Sequence, residues 1–417
     1  MSPEQFVAVG VFVAVFGLAM WRKTNMGAIA LAATFLVGTL LFHQKPKALL
    51  EGWPTSLMLT LIGVTFLFGI ARENGMVDKI VNGAVAAVRG RLFWVPWVFF
   101  FLAAFITAAG AVTPATNAIL IPIGLSLAYK YRMSPLLIGV SILNGTNAGG
   151  FSPIAVYYTI VSGTLHKSGL DLDAGLVFLA TFLFNALLNV LAMAVFGGFK
   201  LRGQRAEAEA TDSSSEAPVS HRMTLQQGVT LATLGALVVA VLFFGIDIGF
   251  AAIIAAVGLA LLWPKAGAAG VKHIAWMVVL LIGGVITYVS LMESVGIITA
   301  SSDAIAHLSI PIVVALLLLF IAGLTSAFAS TIAMFGILIP LAAPLMANGS
   351  LPLLGFSIAL CISASAVDSS PLSTGGALVV ANSEEPDQQR VFNRLMAWGL
   401  AMVVVAPLVT WLVFVVL

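Results

Sequence analysis

Long apolar runs, separated by short polar connections, follow one another along almost the whole chain. Ten of them fall at 6–20, 26–42, 56–71, 135–161, 174–199, 225–244, 250–263, 274–291, 351–380 and 395–416. They lie near the ~20 residues a helix needs to cross the hydrocarbon core, and a helix is the open-ended element that satisfies its own backbone in lipid. Two more apolar runs, 92–127 and 310–345, are interrupted midway by small and hydroxyl residues. Once a turn is removed, each arm is shorter than a minimal span, so each run reads as a re-entrant hairpin whose ends share one side. The pattern predicts an all-α integral membrane protein of ten transmembrane helices plus two re-entrant hairpins.

Residues 200–223 break this pattern with Gln204, a Glu/Ala run, Ser213-Ser214-Ser215 and Pro218, and read as a solvated linker. The linker divides the chain into 1–199, holding the hairpin at 92–129, and 224–417, holding the hairpin at 310–347. TAAGAVTPATNAILIP at 107–122 and TSAFASTIAMFGILIP at 325–340 agree at 9 of 16 positions, at a constant offset of 218. The same offset relates Ser152-Pro153 to Ser370-Pro371, and an offset of 220 relates 61–63 to 281–283. Five crossings per half is an odd number, so the halves are expected in opposite orientation, as an inverted-topology repeat.

Composition agrees: 60% of residues are hydrophobic and 9% charged, too few charges for a water-facing surface. Under the span assignment 16 of the 19 Lys and Arg lie on one side, which the positive-inside rule makes cytoplasmic. Both termini are then outside, the first hairpin opens to the cytoplasm and the second to the exterior. Glu4 before the first apolar run and Arg22-Lys23 after it reverse the charge order of a signal peptide, so this run is read as a first span entering from outside. The net charge of +2 marks topology rather than a nucleic-acid partner; the expected surroundings are the lipid bilayer of the cytoplasmic membrane. A single cysteine, Cys361, excludes disulfides within the chain. Ile80, Val81, Ala84, Val85 and Val88, flanked by Lys79, Arg89 and Arg91, form the apolar stripe of an interfacial helix.

Chemistry is expected where helices break near the midplane. The candidates are the hairpin tips at 110–117 and 329–332 and the interrupted spans at 144–153 and 363–376, rich in Gly, Ser, Thr and Pro. A half-helix that follows a break offers free N–H groups and a positive dipole end to an anion, and the preceding carbonyls suit a cation. The candidate substrate-binding residues are Thr113, Pro114, Asn147, Ser152, Pro153, Ser330, Thr331, Ser370, Pro371, Ser373 and Thr374. The candidate ion-binding or coupling residues are Thr113, Asn117, Asn144, Thr146, Thr331 and Asp368. Asp368 is the one carboxylate placed deep in a span, where a charge costs roughly 2.5 to 3.5 kcal/mol. It would ligate sodium or carry a proton; the alternative is that it caps a half-helix beginning near Ser369. With no buried Lys or Arg, an anion would be held by helix N-termini and hydroxyls, which suits a substrate with a carboxylate at each end. No mid-span histidine and no catalytic pair accompany Asp368, which argues against an intramembrane hydrolase.

NGTNAGGFSPIAV at 144–156 and SASAVDSSPLSTGGALVVAN at 363–382 resemble the malonate and dicarboxylate carrier group of the divalent anion/sodium symporter superfamily, and the likeness covers nearly the whole chain. The resemblance implies hairpins entering from opposite faces, cation sites between each tip and the adjacent broken span, a dicarboxylate between the tips, and elevator motion against a homodimeric scaffold. Better-known symporters carry Ser-Asn-Thr at the tips; Val112-Thr113-Pro114 and Ser330-Thr331-Ile332 stand here, without either asparagine. Asn117, Asn147 and Asp368 would supply replacement oxygens for Na+, or Asp368 would couple transport to protons. No cofactor is expected beyond Na+ as coupling ion. The expected function is symport of a C3 or C4 dicarboxylate; a cation/proton antiporter or anion exporter on the same scaffold is the alternative.

Overall fold

The computed structural model describes residues 2–22, 24–76, 91–204, 223–244, 246–297, 311–327 and 331–417. It is all-helical, with no strand among the described residues. The interfacial stripe at 80–88 and most of the linker lie outside the described residues.

In the first half the helices are α1 (Pro3–Arg22), α2 (Met26–Leu36, extended by a π turn to Leu41), α3 (Pro46–Glu51) and α4 (Thr55–Glu73). A pair follows, α5 (Val95–Ala108) and α6 (Thr113–Lys130), then α7 (Pro135–Gly149), α8 (Val156–Lys167) and α9 (Ala174–Val195). The second half runs α10 (Leu225–Phe244), α11 (Ile248–Leu262), α12 (Pro264–Val271) and α13 (Trp276–Ser294). The paired helices here are α14 (Pro311–Ser326) and α15 (Thr331–Ala347), followed by α16 (Leu353–Ser365), α17 (Thr374–Ala381) and α18 (Glu385–Trp411). Four described helical segments are long and apolar enough to cross a membrane: Ala174–Val195, Trp276–Ser294, Leu353–Ala381 and Asp387–Val416. Several apolar helices of 10–17 residues accompany them.

Helix starts in the two halves fall at matched positions. α7 begins at Pro135 and α16 at Leu353, α8 at Val156 and α17 at Thr374, each pair separated by the offset already seen in the sequence, and Thr331, at that offset from the α6 start Thr113, is likewise helical. The starts are locally encoded. Asn25, Ser134, Asp173, Asp247 and Ser373 each accept a hydrogen bond from a first-turn N–H, at 3.2, 3.4, 2.8, 3.0 and 3.3 Å.

The halves are interlocked rather than side by side. α4 packs on α11 and α12, and α13 packs on α2. Small residues let the backbones meet, which is how helices associate where apolar side chains gain nothing over lipid. A Cβ on Gly27 would strike the backbone of Leu280 and Leu281, and one on Gly284 would strike the carbonyl of Gly27. Between α4 and α11, a Cβ on Gly63 would lie 2.9 Å from the Gly249 carbonyl. The hairpins wrap the interrupted helices: α5 lies along α7, and α14 along α16. Beyond each break the partner changes, so that α8 packs on α15 and α17 on α6.

The Gly27–Gly284 approach yields a test. Gly27→Ala forces α2 and α13 apart and should cost about 1–3 kcal/mol, the usual penalty of overpacking. Gly258→Ala, where a Cβ meets nothing within 4 Å, should leave stability unchanged. Thermal unfolding in detergent compares the two; equal midpoints would refute the interlock.

Candidate functional site

Two breaks and the described ends of two hairpins meet at one place. The first break, Gly150 to Ala155, joins α7 to α8, and the second runs from a 3-10 turn at Ala366–Ser369 through Ser370-Pro371-Leu372-Ser373 into α17. Gly110, at φ +109°, turns the chain between α5 and α6 through backbone space that a side chain rarely adopts.

Asp368 lies in the 3-10 turn and is 9% exposed. The Thr331 hydroxyl, at the first residue of α15, donates to its Oδ1 at 2.5 Å, and the Tyr157 phenol, in the first turn of α8, donates to Oδ2 at 3.2 Å. Ser326, at the end of α14, shares a hydrogen bond with Thr331 at 2.8 Å. Thr113, the first residue of α6, interacts with the Tyr157 hydroxyl. Both described hairpin ends and both breaks therefore converge on the Tyr157–Asp368 pair. Phe151 and Phe335 pack on the Tyr157 ring with centroids 5.4 Å away, closing it against lipid and water. The described ion pairs, His166–Asp171 and His273–Glu73, both lie elsewhere, so the carboxylate has donors and no countercharge among the described residues.

A second, neutral cluster lies beside it. Thr146 donates to Asn117 Oδ1 at 3.2 Å, tying α7 to α6. Asn147 Nδ2 donates to the Ser365 carbonyl at 2.8 Å, while its Oδ1 and the Asn144 Nδ2 are buried without a partner. Gly375 fits between Asn117 and the Asp368 carbonyl; a Cβ there would lie 3.3 and 3.0 Å from them.

The extent of the first break and the alternative role of Asp368 as a cap need correction. The first break is shorter than predicted: α7 stays helical through Gly149, so Asn144, Thr146 and Asn147 project from a helix rather than from unwound chain. Asp368 is not the helix cap, because α17 begins at Thr374 and is capped by Ser373, whose hydroxyl also donates to the Asp368 carbonyl at 2.5 Å and the Ser370 carbonyl at 2.7 Å. Thr374 is exposed and outside the cluster. Of the others, Ser152 is buried and donates to the Ala108 carbonyl at 2.7 Å, pinning the first break to α5. Ser370 is buried and accepts from Leu372 N at 3.3 Å, closing its own turn. Pro371 is buried; Pro114 and Pro153 are half-buried. Ser330 lies outside the described residues. Sequence reasoning missed Tyr157 and Ser326; a phenol set in an apolar run just after Ser152-Pro153 was the available signal for the first.

A cavity of about 400 Å³ reaches from the surface to Pro153 and Thr159, with Lys167, Asp171 and Asp247 on its walls. Burial pushes the Lys167 ammonium below its ordinary pKa, partly offset by Glu293, and the ammonium donates to the Gly52 carbonyl at 3.0 Å.

Residues 1–150 match the family model described as dicarboxylate carrier protein MatC N-terminus. The matched stretch includes the first hairpin and α7. The crystal structure of the Alcanivorax borkumensis YdaH transporter is similar over 90% of this chain and 88% of that one, with a TM-score of 0.61 and 14% identity, a likeness of fold. No curated protein sequence matches. The carrier-family match and the transporter fold indicate a multi-pass membrane transporter rather than an enzyme.

Ser373 carries both the α17 cap and the restraint on the Asp368 turn. Ser373→Ala should destabilise the protein by about 1 kcal/mol, the usual cost of a lost cap. Ser383→Ala, which removes a hydroxyl that donates to the Val379 carbonyl at the far end of α17 at 2.8 Å, is the control. A melting point for Ser373→Ala no lower than the control's would show that the cap carries no weight.

Proposed function

We propose that the chain is a secondary active transporter of small dicarboxylates, coupled to Na+ or H+ at Asp368, working by elevator-type alternating access in the cytoplasmic membrane. The carrier-family match over residues 1–150 supports the substrate class. The observation that carries the coupling is the buried Asp368 carboxylate, which has two hydroxyl donors and no cationic side chain. A dianion beside an uncompensated carboxylate is repelled, whereas a sodium ion or proton on Asp368 removes that repulsion. Substrate and coupling ion then favour each other's binding, as linkage requires.

The two carboxylates of the substrate would be held at the first turns of α8 and α17 and by Thr113, Asn147 and the hydroxyls of the second break, with Ser330 expected to contribute. Both half-helices start immediately after a break and point their positive ends into it. The matched helix starts at an offset of 218 support an inverted repeat of 1–199 and 224–417, and five crossings per half would place the hairpins on opposite faces. We place both termini outside and a homodimer in the inner membrane, the exposed faces of α1, α10 and α11 facing lipid or the second copy.

Uptake of labelled malonate and succinate into liposomes, under an inward Na+ gradient, an inward proton gradient or neither, tests this. One gradient should accelerate uptake, and Asp368→Asn should abolish that acceleration. Tyr157→Phe keeps the ring packing and removes a donor to the carboxylate. A hydrogen bond to a charged group is worth about 1.5–3 kcal/mol, so a roughly 10- to 100-fold shift in half-saturation by the coupling ion is expected. No uptake of either acid, with cation-dependent pH changes instead, would overturn the reading in favour of a cation/proton antiporter.

A further inference from the structure

Away from the Asp368 cluster, a cavity of about 310 Å³ opens where α9 ends, α6 turns into α7, and α18 begins. Arg390 and Arg394 stand one helical turn apart on α18, and Arg132 faces them from the α6–α7 turn. All three are exposed, and neither described ion pair involves them. Asp387 is the one carboxylate on the cavity wall, leaving an excess of two positive charges.

The floor differs from the mouth. Leu136 and Val391 are buried there at 3% and 1% exposure, and Phe196 closes the end, its ring 5.4 Å from that of Trp398. The cavity is thus cationic at its mouth and apolar at its base. It also sits at the level where the apolar run 395–416 begins and the run of α9 stops, which is where a bilayer's phosphates lie.

We propose that this cavity binds a phosphate group, carried by an anionic phospholipid whose headgroup meets the three arginines and whose chain lies on the apolar floor. Arginine suits this ligand: its planar guanidinium pairs with phosphate oxygens in bidentate fashion and is weakly hydrated. Basic pockets between helices on the cytoplasmic side are the places where such headgroups are read. Free phosphate shares the headgroup's chemistry but makes no use of the floor.

The full-length protein in neutral detergent is titrated with phosphatidylglycerol, phosphatidylcholine, inorganic phosphate or malonate, and binding is read by native mass spectrometry and by thermal unfolding. Wild type is compared with Arg390→Gln/Arg394→Gln and with Arg22→Gln, an arginine outside the cavity. Phosphatidylglycerol should bind wild type and Arg22→Gln alike, raise their melting points, and bind the double variant at least ~10-fold more weakly; phosphatidylcholine should bind none of them strongly. An arginine-dependent effect of inorganic phosphate equal to that of the lipid would uphold the phosphate site and assign it to the free anion. Phosphatidylglycerol binding unchanged in the double variant, or an equal arginine-dependent effect of malonate, would overturn the proposal. Bound lipid is counted directly, so the result does not depend on whether the variants differ in stability.

Discussion

Breaking two helices inside a membrane frees backbone groups that lipid cannot satisfy, and the rest of the architecture follows from that constraint. Each break first closes on itself. Ser152 N bonds the Gly149 carbonyl at 3.0 Å and Ala155 N the Ser152 carbonyl at 2.9 Å. Ser370 N and Ser373 N do likewise with Val367 and Ser370, at 2.8 and 3.0 Å. Side chains then complete the set, Ser152 reaching the hairpin at Ala108 and Ser373 spanning the turn around Asp368. A hairpin must lie close enough to shield this irregular chain. That closeness is why Gly145 and Gly149 face the Phe100 and Ala104 carbonyls with no room for a Cβ.

Shielding each break from both sides also binds the halves together. Before a break, the interrupted helix packs on its own half's hairpin; after it, the half-helix packs on the other half's hairpin, α8 on α15 and α17 on α6. The Thr331–Asp368–Tyr157 contacts cross that exchange, taking one donor from α15 and the other from α8. The two donors to the one carboxylate therefore come from different halves of the chain.

Much of this was legible in the sequence because the encoding signals are local or periodic. The hairpin interruptions, the offset of 218 and the Ser-Pro breaks are one-dimensional features, and the half-helix starts at Val156 and Thr374, just after the two breaks, follow from them. The extent of the first break was not legible. Asn144-Gly145-Thr146-Asn147 has the composition of a loop, yet its glycines serve close packing on α5, and tertiary contact overrides helix propensity. Asp368 read as a cap candidate because Asp is a good cap; the identity of the true cap depended on where α17 starts, six residues beyond Asp368. Tyr157 acquires its role from a partner 211 residues away, and no local pattern encodes that pairing.

The matched positions also differ in an informative way. At an offset of 218, Asp368 corresponds to Gly150, Tyr157 to Gly375, and Asn117 to Phe335. Where the second break carries a carboxylate, the first carries a glycine seated against Tyr157; where the first carries a phenol, the second carries a glycine seated against the Asp368 carbonyl. Two similar backbones have thus received complementary chemistry, one cluster of carboxamide and hydroxyl, the other of carboxylate, hydroxyls and an aromatic wall. A symmetric pair of aspartates would place two like charges close together at membrane depth and drive at least one to take up a proton. One aspartate facing one tyrosine avoids that repulsion. The chain breaks a helix at matched places in its two halves, and the side chains give one break a carboxylate and leave the other its neutral counterpart.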